Sequence, residues 1–269
     1  MLITELLQKS RGVEMVLLFG SYARGNFVED RYVEDGTFYE YMSDFDILVI
    51  TAYEDAKNNF GIEKKIEKKL KGRIKTRVSL IFHSIKQINE MLEMGNYFFQ
   101  EIKREGILLF DTKKYSLKKP KRLSRKEAQE KAQDYFDYWF SSAYGFFSAF
   151  QFGMERLDYL NAAFQLHQAT ERYYTTILLV YTDYRPKEHD LYKLEEQVGR
   201  CDVRFNVFPR VTEEEKNRFE LLRRAYIDAR YKMKEYVITK EDLIYLATKV
   251  EVLKERTAII CKAHIKQGL

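Results

Sequence analysis

Val13-Glu14-Met15-Val16-Leu17-Leu18-Phe19-Gly20-Ser21-Tyr22-Ala23-Arg24-Gly25 is followed, after a polar insertion, by Ser43-Asp44-Phe45-Asp46-Ile47-Leu48-Val49-Ile50. The apolar run Val16–Phe19 ends abruptly at a glycine, as a buried strand does, and Gly20-Ser21 opens a turn into a short helix. Ile47–Ile50 reads as a second strand with two carboxylates at its start. Asp44 and Asp46 are two residues apart, so on an extended chain their side chains share a face. Paired carboxylates suit Mg²⁺ (or Mn²⁺), which takes one or two protein carboxylates and fills its shell with water and phosphate oxygens. The Gly-Ser turn offers backbone N–H groups and a hydroxyl at a helix start, where an anionic triphosphate is favoured.

These residues resemble the DNA polymerase β-like nucleotidyltransferase superfamily, its minimal branch in particular. The family pattern is Gly-Ser, a few small or basic residues, Gly, then Asp-x-Asp on the next strand. Gly20, Ser21, Arg24, Gly25, Asp44 and Asp46 match it. The gap from Gly25 to Asp44 is longer than the minimal branch usually has. The resemblance implies Mg²⁺-dependent transfer of a nucleoside monophosphate from a nucleoside triphosphate to a hydroxyl. Asp44 and Asp46 are then the catalytic metal ligands, and Gly20, Ser21, Arg24 and Ser43 line the nucleotide. The family's third strand usually brings a third carboxylate that helps deprotonate the attacking hydroxyl. The matching residue in Arg77–His83 is Ser79, which is neither a strong chelator nor a base unaided. His83, or an acid of the insertion such as Glu34 or Asp35, are the substitutes at hand.

The chain has 269 residues, 45% hydrophobic and 32% charged, with a net charge of +5. This is a soluble globular composition with room for two ordinary domains. No apolar run approaches the roughly 20 residues of a membrane span. The start of the sequence lacks a basic stretch ahead of an apolar one, so a cytoplasmic protein is expected. Cys201 and Cys261, with scattered histidines, make no zinc spacing and point to a reducing compartment. The mild positive charge permits contact with nucleotide or RNA without requiring it.

In chain order, residues 3–8 read as a helix, and 27–42 as a long flexible loop that is either a lid or a surface insertion. Residues 55–70 read as a charged amphipathic helix, 77–83 as a third strand, 85–94 and 96–105 as helices, and 107–111 as a last strand. The first domain is expected over 1–111 and a basic linker over 112–123. That linker is read as solvated, with an RNA-contacting arm as the alternative.

From Ser124 to 269 the reading is almost all helix. Ser124-Arg125-Lys126-Glu127 is a capping box, and the helix behind it carries many aromatics at helical spacing, expected as core and subunit interface. Further helices are expected over 154–180, from His189-Asp190-Leu191, from Thr212 to about 234, and from Thr239 onward. This half resembles the HEPN domain, a helical bundle. The resemblance rests on Ala163-Phe164-Gln165-Leu166-His167-Gln168-Ala169-Thr170-Glu171, on His189-Asp190-Leu191, and on Ala225-Tyr226-Ile227-Asp228-Ala229-Arg230-Tyr231. The resemblance implies a ribonuclease motif of Arg, four to six intervening residues, His, and often a Tyr one residue later. Arg224 and Tyr231 fit, but Ala229 stands where the His belongs, so RNA cleavage is not expected. Tyr231 and His167 are expected to pack in the bundle, and His189 to orient its loop or, as the resemblance implies, to line a nucleotide groove.

The expected fold class is α+β, a nucleotidyltransferase α/β domain followed by an all-α HEPN bundle. The resemblance implies a fused protein of toxin–antitoxin or defence type that forms homodimers through the HEPN domain. The acceptor is a small molecule, RNA or a protein tyrosine. A nucleotide-binding protein without turnover is the alternative, and a HEPN ribonuclease the second alternative.

Overall fold

The computed structural model describes residues 2–25, 27, 29–34, 37–42, 44–74, 76–186 and 188–267, with side chains at all of these except 2, 29–34, 37–42 and 56. The chain divides into two compact units, one ending at Arg122 and one beginning at Leu123.

The first unit is built on a four-stranded sheet in the order β5-β4-β1-β6. β1 (Val13–Phe19) and β4 (Phe45–Thr51) are antiparallel, with Phe19 opposite Asp46. β5 (Val78–Ser84) runs parallel to β4, and β6 (Ile107–Asp111) antiparallel to β1. The mixed sheet is as expected. β1 and β4 occupy its centre because both are nearly continuous apolar runs, which only a strand covered on both faces can use. On one face Val16, Leu18, Ile47 and Val49 pack with Ile3 and Leu7 of α1 (Leu2–Gln8) and with Ile62, Ile66 and Leu70 of α3 (Ala56–Leu70). α4 (Ile85–Glu93) and α5 (Tyr97–Glu105) pack against β4, β5 and β1. A Ser84–Gln87 capping box starts α4, and the Asn96 side chain caps α5.

The insertion departs from its reading as an irregular loop. β2 (Glu29–Glu34) and β3 (Thr37–Met42) form an antiparallel pair in which Glu34 faces Thr37. Tyr32, Val33, Phe38, Tyr39 and Tyr41 are strand-forming residues, and the Asp35-Gly36 dipeptide of the sequence favours hairpins. The acidic residues masked that pattern. The stretch after β6 also lies on this unit. Lys121 N–H donates to Leu92 O at 2.9 Å, and Lys103 Nζ donates to the carbonyls of Leu117 and Lys118 at 2.9 and 2.6 Å.

The second unit is helical: α6 (Arg125–Glu155), α7 (Tyr159–Thr182), α8 (Leu191–Cys201), α9 (Glu213–Arg224), α10 (Asp228–Tyr231) and α11 (Lys240–Gln267). α7 is buried along most of its length, among Phe136, Ala143, Phe147 and Phe150 of α6 and Leu246, Val250 and Leu253 of α11. The capping boxes at Ser124 and Thr212 form as read. Two helix limits differ from the reading. α6 runs through Met154, and the second helix starts only at Tyr159, capped by Asp158 and preceded by Leu157 at φ 58°. The helix opened by Thr212 stops at Arg224, well before 234. There the Leu222 carbonyl accepts from Ala225 N–H at 3.3 Å and lies 3.0 Å from the buried His167 Nδ1. In a continued helix that carbonyl would serve the N–H of Tyr226. Among the described residues, no helix is long and apolar enough to cross a membrane.

Two glycines of α6 separate packing from propensity. A Cβ on Gly153 would lie 3.2 Å from both Cα and Cβ of Ala162, whereas one on Gly145 would meet nothing within 4 Å. We expect Gly153→Val to destabilise the second unit by about 1–3 kcal/mol through overpacking. Gly145→Ala should stabilise it by about 0.5–1 kcal/mol through helix propensity. Urea denaturation monitored by circular dichroism checks both.

Candidate functional site

In the first unit the ends of β1 and β4 bring the Gly-Ser turn to the two carboxylates. α2 (Gly20–Arg24) follows β1 directly. Gly20 has φ +74°, and a Cβ built there would lie 2.5 Å from Asp46 Oδ2. Glycine is therefore required twice, by its left-handed backbone and by the carboxylate pressed against its Cα. Gly25 closes α2 at φ 73°, its N–H donating to Ser21 O, which accounts for the second glycine of the pattern. The Tyr22 ring lies 4.2 Å from Phe45 and stacks at 4.4 Å on Phe27, so α2 is held to the strand that carries the carboxylates.

Asp44 and Asp46 are both buried. Their Cα atoms are about 7 Å apart on extended chain. Two carboxylates so placed repel and lose hydration, so cations beside them are stabilising. One is Arg77, a residue to which sequence reasoning gave no role. Its Nε lies 4.0 Å from Asp44 Oδ2, and its carbonyl accepts from Phe45 N–H at 2.9 Å. Ser79 is the Cα partner of Asp46 across β4 and β5. A carboxylate at that position would face the pair; a hydroxyl does so here.

The other expected residues fall as follows. Arg24 is half exposed and pairs loosely with Glu105, at 3.8 Å. His83 is opposite Ile50, four positions from Ser79 and so about 13 Å along the strand. It is buried with its ring 5.1 Å from Phe99 of α5. That position does not suit a base acting at Asp46. Ser43 and Asp35 lie outside the described residues, as does the side chain of Glu34. Among the described residues, no group of three or more His, Cys, Asp or Glu side chains is arranged to hold a metal ion. Among the described residues, the donors beside the Gly-Ser turn are thus the two aspartates, which fit a Mg²⁺ that keeps water and phosphate oxygens in its other positions.

In the second unit, residues read separately in the sequence meet. His167, fully buried on α7, has Nδ1 3.0 Å from the Leu222 carbonyl and Nε2 3.6 Å from Glu171 Oε2. His189 Nδ1 lies 3.1 Å from the same oxygen. Tyr226 stacks on His189 at 4.8 Å and on His167 at 5.4 Å. Glu171 stood in the quoted run without a role, although its four-residue spacing from His167 places both on one helix face. Burial alone would raise the Glu171 carboxyl, but pairing with the two imidazoles outweighs it and holds the group below its ordinary value of 4.5.

Around the degenerate motif, Arg224 Nε donates to Asp228 Oδ2 at 2.7 Å, and Lys232 Nζ lies 3.2 Å from Oδ1. Ala229 is buried. Tyr231 does not pack in the bundle. It is 74% exposed, with the Arg230 guanidinium 5.0 Å from its ring. The break after α9 turns it outward.

A mixed sheet whose Gly-Ser turn faces two aspartates, followed by a helical bundle, defines a two-domain protein of nucleotidyltransferase fold joined to an all-α module. Comparison with known families agrees. Residues 2–115 match the family described as Polymerase beta, Nucleotidyltransferase, and residues 136–259 match the HEPN domain. The chain is a fusion of a polymerase β-type nucleotidyltransferase domain with a HEPN domain. A search of the curated proteins found no match.

The Glu171 cluster carries a pH signature. Its folded value is depressed, so its contribution to stability is present above about 4.5 and is lost as pH falls through the folded value. We expect Glu171→Gln to flatten the fall in stability below about 4.5 relative to the unaltered chain, read from urea midpoints across acid pH.

Proposed function

We propose that the first domain transfers a nucleoside monophosphate from a nucleoside triphosphate, ATP or GTP, to a hydroxyl acceptor and releases pyrophosphate. The observation that carries this reading is the Asp46 carboxylate seated against Gly20, which joins a phosphate-type turn to a cation-type side chain in one place. Asp44 and Asp46 would hold Mg²⁺, which supplies charge neutralisation at the phosphates and orients the in-line displacement. The N–H groups of Gly20 and Ser21 and the Ser21 hydroxyl hydrogen-bond the β and γ phosphate oxygens. Arg24, only loosely paired with Glu105, swings to neutralise phosphate charge. Ser43 belongs to the same nucleotide-binding set. Ser79 accepts a hydrogen bond from the acceptor hydroxyl and orients it without taking its proton at a useful rate. The acceptor is a small molecule, an RNA end or a protein tyrosine, in a system of toxin–antitoxin or defence type. The HEPN domain acts as an interaction module, with Arg224 and Tyr231 as the remnant of its motif. Exposed Tyr144 and Phe152 on α6 support a homodimer through this domain, which light scattering decides.

The second reading, nucleotide binding without turnover, is favoured by Ser79 opposite Asp46 and by Ala229 beside Arg224. One assay separates the two. The purified chain is incubated with Mg²⁺ and labelled ATP or GTP, and pyrophosphate and labelled products are measured. We expect slow release, reduced at least about 100-fold by Asp46→Asn, an effect typical of losing a group that stabilises transition-state charge. Ser79→Asp should raise release by about 10-fold or more by restoring a base. A nucleotide-dependent rise in melting temperature with no pyrophosphate from either protein establishes the binder and overturns the transferase.

A further inference from the structure

Trp139 of α6, the chain's single tryptophan, carries two cations. The Arg172 guanidinium, from α7, lies 4.7 Å from the indole centroid, and that of Arg185, from the loop after α7, lies 4.5 Å away. Arg172 also lies 5.6 Å from the Phe146 ring, two turns further along α6. Such stacking uses the face of a guanidinium and leaves its in-plane N–H donors unspent.

Neither arginine forms an ion pair with a carboxylate among the described residues, and the acids of the same loop are engaged elsewhere. Asp183 holds Lys131 Nζ at 2.6 Å and the Tyr135 hydroxyl at 3.0 Å. Glu188 pairs with Lys193 at 2.9 Å. Among the described residues, the buried Arg172 Nε–H meets no protein acceptor. By contrast, Arg210, Arg218, Arg223 and Arg224 of the same unit each hold a carboxylate within 3.1 Å. Two guanidiniums gathered on one ring without counter-charge repel each other, and a buried donor left unmade is costly.

We propose that Arg172 and Arg185, braced on Trp139, form an oxyanion site for the phosphate group of a ligand. Two guanidiniums match the charge of a phosphate dianion, and their planar forks suit its oxygens better than point charges would. The site is in the second unit and shares no residue with the carboxylates of the first.

Because Trp139 is the only tryptophan, its emission reports this place in the intact protein. The full chain is titrated with inorganic phosphate against sodium chloride of matched ionic strength, then with AMP and with a single-stranded oligonucleotide. We expect a saturable change with phosphate that chloride does not produce. Arg185→Ala should weaken it at least tenfold, and Arg185→Lys, which keeps the charge and loses the fork, should retain part. Arg185 is exposed, so both variants should fold, as circular dichroism verifies. Asp46→Asn should leave the titration unchanged, which separates this site from nucleotide bound by the first unit. Tighter binding of AMP than of the oligonucleotide assigns the site to a free nucleotide, and the reverse order to a nucleic-acid backbone. Emission indifferent to all three ligands, or unaltered affinity in Arg185→Ala, overturns the proposal.

Discussion

The close approach of the Asp46 carboxylate to the Cα of Gly20 is the constraint around which the first domain is organised. It exists because β1 and β4 are antiparallel neighbours, so the end of one strand meets the start of the other. Any side chain at Gly20 would occupy the volume of that carboxylate, and the positive φ there disfavours one independently. A turn rich in N–H groups and an acidic side chain are thereby held together by backbone pairing, with an intervening hairpin that leaves the register of β1 on β4 intact.

Charge around that contact is set in part by β5 and the residue that precedes it. Arg77 approaches one carboxylate at a long 4.0 Å, and Ser79 stands where a third acid would raise the local negative charge. Two acids hold less negative charge than three would, which lowers the cost of burying the pair. Ser79 thus spares the site a third negative charge.

The second domain turns on a different contact. His167 lies against the Leu222 carbonyl that the next turn of α9 would have used, and the chain breaks before α10. The break presents Tyr231 to solvent, lets Tyr226 stack between two imidazoles, and leaves Arg224 facing Asp228. A buried side chain on α7 thus touches the end of α9, 55 residues away in the chain.

The sequence by itself determined both domain types, the apolar strands, the Gly-Ser turn with its aspartates, and the helix starts at Ser124 and Thr212. Each of these depends on local pattern: apolar runs, period-two spacing and side chains that cap their own helix. The hairpin at 29–42 was legible only in its strand-forming residues and Asp-Gly pair, and its acidic composition hid them. Tertiary structure alone decided the rest. The contact of His167 with the Leu222 carbonyl joins residues 55 apart. The remoteness of His83 depends on which residue of β4 it faces, and the meeting of His167, His189 and Glu171 depends on where a loop returns to α7. The gathering of Arg172 and Arg185 on Trp139 is of the same kind. Interactions between distant segments leave no periodic trace in either segment, because each partner is selected for a neighbour that the chain supplies only once folded.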